Sequence, residues 1–468
     1  MAAILERAAA LDFDDVWGDG GTRVNIRDDV WVGVDDAVGA GALALASQLC
    51  AGGVLGPGAV AGKRVVELGA SSGLAGLAAA AGGARSAALL AVEGRGAGCR
   101  RSAARAARDL GLPRTALAVV DFDWGAFTAR DGGVDVVLVC DVGADAGLSL
   151  ATLRRWCRGD GAGKPALYVA LDEADAHSCR YAACLSACRF EVREIFREGG
   201  VAVYECFATA AATDVVAAPL PPHDTTLRHV EDGVDLEIVQ RADLGNEYGV
   251  WPGAVALADH VSATFGSKNF RAFELGCGSG YLGLLLAARG AKHVTLSDAH
   301  LNLAAWNLAL NYDAAADAGC SVDARRVRWD HEDDVDGFDL GVVGPRETFL
   351  VVGAELLHIL DSQADLAREV YRRLLSAATF GRDGVALLTT APCARPRVTP
   401  LKKPCDIGHC ACCLFLRRAL SSGLALDRVC AVAAPRRKDP RLKNADVRWE
   451  NEHDEAIWVL HLRLRPDD

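Results

Sequence analysis

Two short stretches of this chain, some two hundred residues apart, repeat one another. Val65–Gly76 reads Val-Val-Glu-Leu-Gly-Ala-Ser-Ser-Gly-Leu-Ala-Gly, and Ala272–Gly283 reads Ala-Phe-Glu-Leu-Gly-Cys-Gly-Ser-Gly-Tyr-Leu-Gly. Each pairs an apolar run of strand length with a glycine-rich turn and the start of an apolar helix. The order continues downstream. Ala88–Glu93 and His293–Asp298 read as second strands ending in an acid, and Trp124 and Trp329 each follow that acid by 31 positions. Further strands are expected at Val134–Cys140 and Phe338–Val343. Upstream, Trp31 and Trp251 precede apolar helices at Ala40–Leu49 and Ala254–Phe265. A repeat this long means duplicated domains, since solenoid units are far shorter.

Strands alternating with helices predict a doubly wound, mainly parallel α/β sheet in each half. Phe190–Phe196 and Val201–Phe207, separated by Arg197-Glu198-Gly199-Gly200, predict an antiparallel hairpin that closes the first sheet. Leu426–Ala433 and Ala456–Leu464 do the same for the second. Ala208–Thr226 carries Pro219, Pro221 and Pro222 and no periodic apolar face. The expected division is a first domain over 1–209, a linker over 210–226 and a second domain over 227–468.

The composition fits two packed domains, with 51% hydrophobic and 24% charged residues in 468. A net charge of -12 argues against a nucleic-acid partner. Met1–Trp17 carries Glu6, Asp12, Asp14 and Asp15, unlike a secretory or transit signal. Leu74–Ala91, interrupted by Arg85, reads as helix plus strand, so no membrane association is expected. Sixteen scattered cysteines suit a reducing compartment, the cytoplasm, with the nucleus as a second possibility. Oligomeric state is left open.

Gly278-Ser279-Gly280-Tyr281-Leu282-Gly283 fits GxGxxG, and Asp298 lies 20 positions after Gly278, as in a dinucleotide site. Three features oppose that reading. Glu274, repeated as Glu67, places a carboxylate that suits a ligand's ammonium group and would repel a pyrophosphate. The first loop has Ser71 where the tight turn wants glycine. The motif also follows an extra Trp-bearing segment. S-adenosylmethionine suits the residues better. Its zwitterionic end needs close backbone approach at glycines, its ribose a strand-end acid, and its sulfonium an aromatic face such as Trp251 or Tyr281. The cofactor set is therefore Trp251, Glu274, Gly276, Gly278, Gly280, Asp298 and Trp329, with Trp31, Glu67, Gly69, Gly73, Glu93 and Trp124 as first-domain counterparts.

These residues resemble a known family. Glu-Leu-Gly-x-x-x-Gly-Leu-x-Gly at 67–76, Asp123-Trp124-Gly125, Gly249-Val250-Trp251-Pro252-Gly253-Ala254, Phe273–Gly283, Ser297-Asp298-Ala299-His300, Asn307 and Asn311 are similar to the seven-β-strand protein-lysine methyltransferases of the methyltransferase-16 type. The resemblance covers residues 28–207 and 234–464. It implies two tandem class I S-adenosylmethionine-dependent methyltransferase (Rossmann-like) domains, with S-adenosylmethionine as cofactor and protein lysines as substrate. The family's Asp-x-x-Tyr signature is altered in both copies. Asp141 keeps the acid without the Tyr, while Glu355 and His358 stand for Asp and Tyr. Asp141, Glu355 and His358 are the catalytic candidates. In the second copy Glu355 lies farther beyond the expected strand than Asp141 does in the first.

The first domain, with Ser71 in its loop and Gly94-Arg95-Gly96-Ala97-Gly98 after Glu93, is expected to be degenerate. Cys393, Cys405, His409, Cys410, Cys412 and Cys413 cluster without the CxxC pairs of a zinc ribbon, so no metal is expected. The alternatives are a non-catalytic binding scaffold, a small-molecule methyltransferase and, last, a nicotinamide-linked dehydrogenase.

Overall fold

The computed structural model describes residues 22–27, 30–34, 38–92, 96–113, 116–122, 133–140, 146–157, 164–174, 181, 184–186, 188–209, 224–231, 233–241, 249–266, 270–328, 348–356, 384–390, 424–432, 441–443 and 457–464. The chain forms two compact units, Met1–Pro221 and Pro222–Asp468.

The first unit opens with an antiparallel ribbon, β1 (Thr22–Arg27) and β2 (Val30–Val34), and helix α1 (Ala40–Leu49). Then come β3 (Arg64–Ala70), α2 (Leu74–Ala81), β4 (Ser86–Val92), α3 (Gly96–Asp109), β5 (Leu117–Phe122), β6 (Val136–Cys140), α4 (Ala146–Trp156), β7 (Ala166–Asp172), β8 (Phe190–Glu198) and β9 (Val201–Ala208). The sheet order is β5-β4-β3-β6-β7-β9-β8, parallel from β5 to β7. Val65, Val66 and Leu68 are fully buried, as a parallel strand covered on both faces requires. The small residues of α2 let that helix lie close on the sheet, and all but its last residue are buried.

The second unit repeats this plan. It contains β10 (Asp224–Glu231), β11 (Val234–Arg241), α5 (Pro252–Phe265), β12 (Phe270–Leu275), α6 (Tyr281–Ala288), β13 (His293–Asp298), α7 (Asn302–Leu310), α8 (Tyr312–Asp317), β14 (Ser321–Arg326), β15 (Thr348–Gly353), β16 (Gly384–Thr390), β17 (Leu424–Val432), β18 (Leu442–Lys443) and β19 (Ile457–Leu464). The order β14-β13-β12-β15-β16-β19-β17 matches the first sheet strand for strand, and a separate small sheet has the order β11-β10-β18. Both units therefore hold a Rossmann-like α/β sheet. Among the described residues no helix is long and apolar enough to cross a membrane.

Four sequence expectations change. No hairpin closes either sheet. An antiparallel pair lies at one edge, β9 beside β7 and β19 beside β16, and the sheets stay open. In the second unit the pair is not even a tight hairpin, because β18 lies between β17 and β19 in sequence and joins the other sheet. The fourth parallel strand of that unit is Thr348–Gly353, whereas Phe338–Val343 lies outside the described residues. Two apolar, β-branched runs compete here, and pattern alone does not choose between them. The parallel of Trp31 with Trp251 also fails. Trp31 sits within β2, opposite Asn25, while Trp251 is the residue that opens α5. Finally, β10 begins at Asp224, inside the stretch read as linker.

Candidate functional site

In both sheets the first parallel strand, β3 or β12, lies at the switch point where the chain reverses direction across the sheet. Ligands of open α/β sheets bind beyond the strand carboxyl ends at that point. In the second unit the position collects Gly276–Gly280 after β12, Asp298 at the end of β13 and Glu355 just beyond β15.

The loop is held from below. Glu274 is 3% exposed, and its Oε2 accepts the Gly283 N–H at 2.9 Å, satisfying an open donor in the first turn of α6. Burial pushes this carboxyl up to about 8, with the Gly283 bond pulling the other way and Asp298 adding to the rise. Glu67 does the same in the first unit, taking the Gly76 N–H at 2.7 Å while buried to 1% exposure. A Cβ at Gly283 would stand 2.3 Å from Leu296 Cδ2 and 2.6 Å from Glu274 Oε2. The glycine is thus required for close packing of helix on strand. The expectation that these two acids face a ligand ammonium is corrected: their partners are helix N–H groups, and they position the loop.

The two loops differ where Gly278 answers to Ser71. Gly276, Gly278 and Gly280 all take positive φ, at 60°, 52° and 78°, whereas the first loop has only Gly69 and Gly73 there, at 77° and 74°. A serine pays a steric penalty in that region, so the first loop takes a different path and β3 runs on to Ala70.

Asp298 Oδ2 accepts the Gly278 N–H and Oδ1 the His300 N–H, both at 3.0 Å. Burial raises its pKa against the pull of those bonds. Behind the loop, Asn307 on α7 is fully buried. It accepts from Val239 N at 2.8 Å and donates to Val239 O at 2.9 Å and Ser279 O at 2.8 Å. One turn on, Asn311 accepts from Glu237 N and donates to Glu237 O. The two side chains mimic a neighbouring strand and dock β11 onto α7. Their signal in the sequence is a pair of amides four residues apart on an otherwise apolar helix face.

Glu355 is the other unusual residue. Its φ is +55°, which an L side chain adopts only at a cost. Its N–H donates to Thr389 Oγ1 at 3.1 Å, and its Oε1 accepts the Gly253 N–H at 2.8 Å in the first turn of α5. Gln240 Oε1 accepts the Val250 N–H at 2.8 Å, so Val250–Gly253 is pinned on both sides of Trp251, which is half-buried. The second oxygen of Glu355 has no hydrogen-bond partner among the described residues, and burial raises the carboxyl's pKa. Strand register gives the two candidate acids equivalent sequence positions. Glu274 pairs with Val352 and Glu67 with Leu138; Glu355 and Asp141 each follow by three residues. With β15 at 348–353, the extra distance before Glu355 disappears.

Tyr281, offered as an aromatic for a sulfonium, is 1% exposed with its hydroxyl on His229 Nδ1 at 2.9 Å, so it is core. Glu93, Trp124, Asp141, Trp329, His358 and the cluster from Cys393 to Cys413 lie outside the described residues.

Residues 230–373 match the family model described as Lysine methyltransferase. The resemblance read in both halves is matched by that model in the second. No curated protein matches the sequence. Among solved structures, the T. thermophilus 16S rRNA methyltransferase RsmC, in complex with AdoMet and guanosine, is 18% identical, with 80% of this chain and 90% of that chain covered and a TM-score of 0.29. A TehB-like SAM-dependent methyltransferase from Corynebacterium glutamicum is 16% identical (48% and 92% covered, TM-score 0.28). The magnesium protoporphyrin IX methyltransferase of Synechocystis, with bound SAH, is 15% identical (45% and 82% covered, TM-score 0.27).

Proposed function

We propose that the second unit is an S-adenosylmethionine-dependent methyltransferase acting on lysine side chains of a protein. The observation that carries this reading is the placement of Gly276–Gly280, Asp298 and Glu355 at the carboxyl ends of the switch-point strands, within the segment that matches the lysine methyltransferase model. The residues fit the cofactor. Three left-handed glycines at alternate positions bring backbone close to a ligand, and a carboxylate at the end of β13 suits ribose hydroxyls. Raised carboxyls at Asp298 and Glu355 favour a cationic ligand, whose charge would offset the cost of ionising them where they are buried.

S-adenosylmethionine, when bound, supplies a methyl group on a cationic sulfur. The chain's own task is to deliver a neutral amine in line with it. Glu355, with one oxygen committed to Gly253, uses the other to receive the incoming lysine ammonium. Desolvation beside it lowers the amine pKa from about 10.4, and the proton leaves to solvent. Trp251, half-buried and opening α5 next to the Glu355 bond, is the aromatic candidate for the sulfonium. The first unit, with serine in its loop, serves as scaffold.

Full-length chain incubated with methyl-labelled cofactor and a protein extract tests this. Label recovered as methyl-lysine is expected, with cofactor affinity reduced more than about tenfold in Asp298→Ala. Glu355→Gln is expected to keep cofactor binding and lose turnover. Label on another residue type or on small molecules would reassign the substrate. Absence of cofactor binding by the wild-type chain would overturn the reading.

A further inference from the structure

Away from the crevice, three side chains from three elements of the second unit converge. His260 lies on α5, which packs on β16 and β19; Cys430 is on β17 and His461 on β19. The two imidazoles meet Nε2 to Nε2 at 2.8 Å, and Cys430 Sγ stands 3.7 Å from His461 Nε2. All three donor atoms fall within 4.8 Å of one another. His461 is 2% exposed, while His260 and Cys430 are half-buried, so the cluster is enclosed on the sheet side and open on the other.

We propose that His260, Cys430 and His461 form a zinc site, with a water in the fourth position. Zinc takes imidazole nitrogen at about 2.0–2.1 Å and thiolate sulfur at about 2.3 Å on a tetrahedron. Those lengths place nitrogen and sulfur about 3.6 Å apart and two nitrogens about 3.3 Å apart. The Cys430–His461 separation already fits, and the Cys430–His260 pair, within 4.8 Å, must close toward the same length. The imidazoles must part by about half an ångström, which the hydrogen-bonded pair allows by giving up its shared proton. The donor set selects the metal class. One thiolate with two imidazoles, and no carboxylate among the described residues, disfavours calcium and magnesium. A blue-copper centre holds the same three donors in a trigonal plane with a weak axial ligand, so the tetrahedral d–d bands of cobalt(II) distinguish zinc geometry from it.

Binding is a proton exchange. The Cys430 thiol releases its proton, and neutral His461, whose Nδ1 accepts from Arg428, moves its single ring proton from Nε2 to Nδ1 to free Nε2 for the metal, so one proton leaves overall. Arg428, which now directs its Nε–H at His461 Nδ1 from 3.3 Å, must then turn outward, and its exposed position permits that. His260 lies eight residues beyond Pro252, about 12 Å along the helix. The site therefore ties α5 to the antiparallel edge of the sheet, outside the reaction crevice. It goes beyond the methyl-transfer reading and does not depend on it.

Cobalt(II) titrated into chelator-stripped full-length protein reports the site directly, because thiolate ligation gives a charge-transfer band and tetrahedral geometry gives intense d–d bands. One equivalent with both signals is expected, displaced by zinc. Cys430→Ser is expected to lose the charge-transfer band, and His260→Ala to weaken metal affinity more than about 100-fold. Zinc is also expected to raise the melting temperature of wild type and not of His260→Ala, which lies on a half-buried helix face and reports independently of whether His461 variants fold. The cysteine cluster elsewhere is controlled by a variant with Cys405, Cys410, Cys412 and Cys413 all changed to Ser, which is expected to retain the band. Loss of the band in that variant with retention in Cys430→Ser would overturn the proposal. So would failure of the wild-type chain to bind one equivalent.

Discussion

Glu274→Gln tests whether the repeated glutamate is a buried, neutral cap. The carboxyl is 3% exposed, and burial lifts it from 4.5 to about 8. Between those values the folded chain keeps a proton that the unfolded chain releases. Stability from this group is therefore complete below pH 4.5 and is lost as pH rises toward 8. The slope is about 1.4 kcal/mol per pH unit while the difference is one proton, so the loss from pH 6 to pH 8 is about 2–3 kcal/mol. The whole shift sets an upper bound of about 5 kcal/mol. Glutamine preserves an acceptor for the Gly283 N–H and does not titrate. The stability of the variant relative to wild type is expected to grow by about 2–3 kcal/mol over pH 6 to 8. Denaturant unfolding of the full chain at several pH values measures this, and hydrogen exchange over β12 and α6 assigns it to the second unit. Parallel pH profiles for the two proteins would refute the burial argument.

Three further outcomes follow from the same geometry. Asn307→Ala removes three hydrogen bonds and strands Val239 and Ser279 backbone groups. It is expected to cost about 3–5 kcal/mol and to speed hydrogen exchange in β11 ahead of the main sheet. Gly283→Ala forces a Cβ against Leu296 and Glu274 and is expected to cost about 1–3 kcal/mol in thermal unfolding. Gly58→Ala, with nothing within 4 Å, is its near-neutral control. Arg289 bridges Glu231 and Asp259, with Arg441 beside both acids. Arg289→Met leaves two half-buried acids on one cation and is expected to cost about 2 kcal/mol at neutral pH, less at high salt.

The parallel core was legible because its strands are continuous apolar runs with glycine at their ends. His293–Asp298 matches β13 residue for residue, and Ala40–Leu49 matches α1. The fourth strand of the second unit was not legible, since two apolar runs compete and only pairing with β12 and β16 identifies Thr348–Gly353. At the site, the loop glycines and Asp298 could be found by spacing. The strained backbone of Glu355 could not, nor could the strand that the Asn307 and Asn311 amides hold, because each depends on what a distant segment presents. Gly253 admits Glu355, and β11 answers Asn307. Likewise the imidazole–thiol cluster unites residues 260, 430 and 461, which no spacing rule joins.

The duplication itself takes on a different meaning once the partners of the glutamates are known. Glu67 and Glu274 are the most recognisable repeated residues, and both are committed to helix N–H groups beneath their loops. Their recurrence therefore reports a shared way of joining strand to helix and carries no information about ligand binding. Competence must be read above the loop, where the halves differ. The second loop has glycine in the left-handed region at 278, with its N–H on Asp298; the first has Ser71 and no positive φ there. A serine-to-glycine change at position 71 would relieve that backbone restriction without supplying the rest of the second unit's site. The two halves share a scaffold, and what separates them lies in the few residues that the scaffold leaves free to face the crevice.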